Sequence, residues 1–152
     1  MKLSILVLLL SLFLIPACST LLLQPADFSW PVESVMKVDD NGNVQENRYS
    51  ISFNTKDLFL QETGDSSGYK NKELRVIRDA KGYYFITANN FKDVYVFNPS
   101  EGALQLKNKI EISDSLKMEN PAFNQRPPYI QLIYGSNHVN LTDEGIAEEE
   151  QK

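Results

Sequence analysis

The sequence predicts an all-β domain: an antiparallel β-sandwich or partly open β-barrel of about eight or nine short strands. Three observations lead there. Between Glu73 and Ser113 four runs of β-branched and aromatic residues are separated by turn residues. The glycines stand singly and at turn positions, and no stretch of ten residues after the N-terminal segment carries the 3.6-residue spacing of an amphipathic helix. With 152 residues, 42% of them hydrophobic and 23% charged, the chain has the usage of one ordinary globular domain, which excludes a disordered chain and a polytopic membrane protein.

Taken in order, the segment SVMKVDDNGNVQENRYSISF holds two candidate strands around Asp39-Asp40-Asn41-Gly42, where Asn-Gly supplies the positive φ angles of a tight turn. In the second arm Tyr49, Ile51 and Phe53 alternate with Arg48, Ser50 and Ser52, so one face is buried and the other wet. DLFLQE, from Asp57, reads as a further short strand, and TGDSSGYKN as a loop. The next forty residues form an antiparallel meander with turns at Asp79–Gly82, at Asn89-Asn90 with Lys92-Asp93, and at Asn98–Gly102. Ser113 or Asp114 opens a single helical turn. An extended proline segment then positions YIQLIY, Tyr129 to Tyr134, as the last long strand, with a short strand in GSNHVNL beyond it. Thr142 to Lys152 holds five acidic residues and no aromatic one, the composition of a frayed tail.

The N-terminus differs from all of this. Leu3 to Ile15 is thirteen residues without a charge, preceded by Lys2, which is the form of a signal peptide. A membrane-spanning helix needs about 20 apolar residues, and Pro16 interrupts this run first. Cys18 is the only cysteine, so an intramolecular disulfide is excluded. A catalytic thiol would need an electropositive folded pocket rather than a place between a signal core and a linker. The segment Ile15-Pro16-Ala17-Cys18 resembles the lipobox of bacterial lipoproteins. That resemblance implies cleavage between Ala17 and Cys18 and acylation of the Cys18 thiol, which would tether the chain to a bilayer without spanning it. By the same resemblance Ser19 after the cysteine implies the outer membrane, facing the periplasm. The expected organisation is a signal peptide over 1–17, a lipidated cysteine and tether over 18–31, a β-rich domain over 32–141 and an acidic flexible tail over 142–152.

The candidate chemistry is sparse. Aligning Asp39-Asp40-Asn41-Gly42 with a calcium loop puts Lys37 and Arg48 where carboxylates are required, so a solvated turn is the better reading. His138 is the sole histidine, which excludes a His-rich metal site, and no G-x-S-x-G elbow surrounds Ser136. A hydrolase would need His138 beside a serine and an acid in a cleft. No motif for a cofactor or metal is present. Lys70, Lys72, Arg75, Arg78 and Lys81 form a basic stretch, read as an ordinary wet face or as an anion or headgroup patch. The net charge of −5 becomes more negative once Lys2 is removed, which disfavours nucleic acid.

Tyr83-Tyr84-Phe85 puts rings on both faces of its strand. Either both faces are covered, or one is an aromatic binding platform for a sugar or peptide. The functional expectation is a lipid-anchored envelope protein with a binding or structural role, such as an accessory subunit of an envelope complex, and not an enzyme. The alternative is a lipoprotein that carries an apolar or saccharide ligand. An apolar cavity of several hundred Å³ would favour the carrier, and a filled core with an exposed aromatic patch the protein partner.

Overall fold

The computed structural model describes residues 32–47, 50–114 and 116–147. The signal segment, Cys18 and the tether lie outside the described residues. Those described form eleven strands and one helix: β1 (Ser34–Lys37), β2 (Asn43–Glu46), β3 (Ile51–Asn54), α1 (Lys56–Thr63), β4 (Glu73–Arg78), β5 (Tyr84–Ala88), β6 (Asp93–Ser100), β7 (Ala103–Glu111), β8 (Ala122–Arg126), β9 (Tyr129–Tyr134), β10 (Asn137–Thr142) and β11 (Gly145–Ile146). All the pairings are antiparallel. A five-stranded sheet of order β1-β4-β5-β6-β7 lies against a four-stranded sheet of order β11-β10-β9-β8, and β2 pairs only with β3. The sheets do not close on one another, so of the two architectures expected the fold is sandwich-like rather than a barrel.

The register explains the core. Ile77, Phe85 and Val96 are lateral partners across β4, β5 and β6, and Val94 is opposite Ile110 on β7. On the second sheet Phe123, Leu132 and Val139 form one row and Ile130 with Leu141 the next. Nearly all of these side chains are buried, and together they fill the space between the sheets. The other face of the large sheet is apolar too. There Val76, Ile86 and Tyr95 are register partners, as are Tyr84 and Phe97. All five residues of β5 are therefore buried, and that second face needs a cover of its own.

The cover is α1 with the β2–β3 hairpin, where DLFLQE is a helix instead of the expected strand. Three consecutive apolar residues in so short a segment show no period, and the ends decide. Lys56 N–H donates to Asn54 Oδ1 at 3.1 Å at the start, Asp57 stands in the first turn, and Gly64 closes the last turn at φ 70°. Phe59 is the residue of α1 that is fully buried. Its ring meets Phe91 edge-on at 5.0 Å, and Phe91 meets Tyr95 at 6.3 Å. The turn at Asp39–Gly42 forms as expected, with Asp39 Oδ1 accepting from the N–H groups of Asn41 and Asn43. Its arms nevertheless part into different sheets. Gly42 (φ 83°) sits so close to Lys56 that a Cβ there would come within 2.7 Å of that side chain, and its carbonyl accepts both the N–H and the hydroxyl of Thr55. The hairpin is thereby fastened to the start of the helix.

The meander is as the sequence predicts, and the β6–β7 turn at Glu101-Gly102 has positive φ at both positions, the mirror-image turn that suits strand twist. Three differences follow it. Ser113 Oγ accepts from Leu116 N–H at 3.1 Å, the bond of a helix N-cap, but among the described residues no helix follows it. The segment before Pro127-Pro128 is a strand, β8, paired with β9. The sheet also runs past residue 141, where a tail was expected, through β11 at Gly145–Ile146.

What holds this last segment is Asp143, 4% exposed, paired with Lys81 at 2.9 Å and with Lys107. Asn108 Nδ2 adds a bond to the Glu144 carbonyl at 2.9 Å. At the opposite edge Glu33 joins the sheets, accepting from Arg75 and from the Phe123 N–H at 2.8 Å each. Burial pushes the Asp143 carboxyl up, but the ammonium hydrogen bonds from Lys107 and Lys81 outweigh it, and the group titrates below its ordinary range. A carboxylate depressed in the folded state adds stability above its unfolded pKa of about 3.9 and loses it as the pH falls through the folded value. Asp143→Asn will lower the urea midpoint at pH 7, and the gap from the unsubstituted chain will shrink toward zero in acid. A gap that stays constant with pH would show that the ion pairs do not contribute.

Candidate functional site

The cover over the second face is too small for it, and the strip left over is a groove of about 1080 Å³. Its floor is Tyr84 and Ile86 of β5 with Tyr95 and Phe97 of β6. The alternation of the two strands and their register put these four on one face. One wall is Leu104 and Leu106 of β7 with the turn from Pro99 to Gly102; the other is Ile51 and Phe53 of β3 with Leu58 of α1. Ile51 and Phe53 share a face, as the sequence alternation implies, and both are packed against the core. Ser50, Ser52, Asn54, Asp57, Gln61, Ser100 and Glu101 give the lining its polar side chains. A concavity with an apolar floor and a few polar groups, at the upper end of the roughly 300–1,000 Å³ typical of ligand pockets, is the form of a small-molecule site.

Among the described residues four buried side-chain atoms make no full hydrogen bond, and two of them, Tyr95 Oη in the groove floor and Glu62 Oε1 on α1 behind it, interact with one another. The second carboxylate oxygen of Glu62 accepts from Lys92 N–H at 2.8 Å. Burial raises the Glu62 carboxyl above its usual range. Burial, reinforced by the neighbouring Glu62, raises the Tyr95 phenol as well. Asp93 is close by, held by Lys109 at 2.6 Å, whose ammonium also stands 5.9 Å from the centre of the Tyr95 ring. A buried phenol at the base of an apolar groove, facing the Glu62 carboxylate without completing a hydrogen bond to it, is suited to a single polar atom of a ligand.

The structure distributes the sequence candidates widely. Tyr84 is in the groove floor, but Phe85 is fully buried on the opposite face. Tyr83 precedes the strand, half-buried beneath the Lys107 ammonium at 4.1 Å. The three rings therefore form no common exposed platform. His138 is exposed on β10, opposite Ile133, and among the described residues no group of three His, Cys, Asp or Glu side chains is arranged to hold a metal. Ala17 and Cys18 lie outside the described residues. The basic stretch is also divided: Arg75 pairs with Glu33, Arg78 stacks on Tyr84 at 5.6 Å and Lys81 pairs with Asp143. What the sequence reading missed are Leu104, Leu106 and the joint role of Phe53, Tyr95 and Phe97. The signal was Pro99 followed by leucines spaced by two, an edge strand with apolar residues on one side.

No known protein family, characterised protein or solved structure matches this chain.

Removing a buried hydroxyl that completes no hydrogen bond costs little, because its desolvation penalty disappears with it. Tyr95→Phe will therefore leave the urea midpoint unchanged or raise it. A clear fall would mean that the hydroxyl is bonded within the folded chain and not available to a ligand.

Proposed function

We propose that this chain is a lipid-anchored binding protein of the bacterial cell envelope, acylated on Cys18 at the outer membrane and facing the periplasm, whose groove holds an apolar or amphipathic small molecule. The observation that carries this reading is the groove of about 1080 Å³ over Tyr84, Ile86, Tyr95 and Phe97. Leu106 in its wall is 48% exposed, an apolar surface that a bound alkyl or ring system would cover. The floor offers few hydrogen-bonding groups, which favours an apolar ligand over a saccharide. An accessory-subunit role is the second reading and ranks lower, because it was to be marked by a filled core with an exposed aromatic patch.

The position of the N-terminus supports the link between anchor and groove. β1 begins opposite Val76 and runs toward Glu73, so the chain reaches the large sheet from the end at which β6 turns into β7. That end carries the Pro99–Gly102 wall. A tether of thirteen residues from Cys18, each spanning at most about 3.6 Å, keeps the groove within reach of the membrane that supplies its ligand.

Two measurements test this. In native mass spectrometry of the chain purified from its own envelope, an apolar molecule will accompany it at one per protein and be lost in Leu106→Asp. Leu116→Asp, at an exposed position outside the groove, will retain it. No bound molecule, or equal loss in both variants, would refute the groove reading. Separately, Cys18→Ser will release the chain from membranes or leave it as uncleaved precursor, as membrane fractionation and precursor size will report. Unchanged attachment with unchanged processing would refute the lipid anchor.

A further inference from the structure

A second concavity, of about 490 Å³, lies at the other end of β5, and Lys70, Lys72 and Lys117 all line it. Its chemistry is the reverse of the groove's, with Thr63, Ser67, Asn89 and Asn90 in place of the apolar side chains. The three lysines come from two separate loops. Lys70 and Lys72 follow α1, where the N–H of Lys70 donates to Ser67 and that of Lys72 to Tyr69. Lys117 is brought across by its neighbour Met118, which is fully buried and is clamped by backbone bonds to Asn90 and Phe91 at 2.9 and 2.8 Å. The positions are thus set by the fold, not by sequence proximity.

The charges around the pocket are out of balance. Four of the basic residues outside the pocket, Arg75, Lys81, Lys107 and Lys109, pair with a carboxylate. Among the described residues Lys70, Lys72 and Lys117 make no ion pair, although the chain as a whole is acidic, with a net charge of −5. Asp65 is the carboxylate of the lining; it accepts from the N–H and hydroxyl of Ser67 at 2.8 and 2.9 Å, which together with the Lys70 charge hold it ionised. Asn89 uses its carbonyl oxygen to accept from Asn120 N–H, which leaves its amide N–H₂ as a donor. Three ammonium groups against one carboxylate leave the lining with an excess of positive charge, and the chemistry that balances it is a multivalent anion.

We propose that this pocket is an anion site that takes a phosphate group, free or carried on a larger molecule, contacted by Lys70, Lys72 and Lys117 and by the Asn89 amide. It goes beyond the groove reading and is independent of it, since the two sites lie at opposite ends of β5 and differ in chemistry. Phosphate is favoured over a single carboxylate because its charge and three acceptor oxygens match three separate point-charge donors.

Isothermal titration of the full-length purified chain in a neutral detergent with sodium pyrophosphate tests this, against sodium chloride of equal ionic strength. Saturable binding is expected, weakened about tenfold or more in Lys72→Gln and again in Lys117→Gln, and undetectable in the double variant. Lys37→Gln, an exposed lysine outside the pocket, is expected to stay within about twofold of the unsubstituted chain, the variation of a screened surface charge. These lysines are exposed, so urea midpoints should not change and a loss of binding cannot be a loss of fold. Displacement of pyrophosphate by micelles containing phosphatidylglycerol would identify a lipid headgroup as the carrier, and no displacement a soluble phosphate. No saturable heat, heat reproduced by chloride, or equal weakening by Lys37→Gln would overturn the assignment.

Discussion

The constraint on which the rest depends is that the five-stranded sheet is apolar on both faces. A sheet in a two-layer sandwich buries one face and wets the other, and its strands alternate accordingly. Here β5 has no wet face, and Phe85 and Ile86, adjacent in sequence and opposite in direction, are both wholly buried. One side is matched in width by the four-stranded sheet, with β8 beside β4 and β11 beside β7. The other has only an eight-residue helix and a hairpin of two four-residue strands to cover it. These reach across β1, β4 and the far end of β5 through Phe59, Phe91 and Val44, and leave Phe97, Leu104 and Leu106 beneath an incomplete roof. The groove is thus the area by which the cover falls short of the sheet.

The placement of buried charge follows the same geometry. Each sheet has edges, and a sandwich held by dispersion alone is free to slide at them. Glu33 ties the β1–β4 side to β8, and Asp143 ties the β7 side and the β4–β5 turn to the end of β10. Both carboxylates lie at the rim and not in the apolar centre, where the partners remain partly wet and desolvation costs less. Asp93 makes a third tie within the large sheet, joining β6 to Lys109 of β7. Much of the acidity of the chain is accounted for by solvated turns and by these three ties.

This distribution explains what was legible in the sequence. The meander could be read because hairpin turns have local chemistry: Asp79–Gly82 and Glu101-Gly102 announce themselves through glycine in positive φ. The β3 face could be read because Ile51 and Phe53 alternate with serines. DLFLQE could not, since its conformation is decided by Asn54, Thr55 and Gly64 at its ends and by the Phe91 ring, brought to it from more than thirty residues away in sequence. Nor could the C-terminal strand, whose short acidic sequence looks soluble until Lys81 and Lys107 are placed beside it. The run Tyr83-Tyr84-Phe85 posed the right alternative, both faces covered or one a platform, but the choice between them depends on how far a distant helix reaches. The groove was invisible for the same reason: it is a shortfall between elements, not a motif.

The two concavities differ in what they require of the fold, and this bears on how they would operate. The groove is formed where packing is incomplete, so its shape depends on the position of the β2–β3 hairpin and α1, attached mainly through Phe59 and the Thr55–Gly42 contact. Such a cover can move by small amounts at low cost, because few buried contacts are broken. A ligand entering there would replace missing packing and tighten the same interface. The lysine pocket is built from loops pinned to the buried Met118 and to the turn after β5, and a phosphate there would balance the excess positive charge without displacing any core side chain. α1 is common to both, since its Leu58 lines the groove and its Phe59 the lysine pocket.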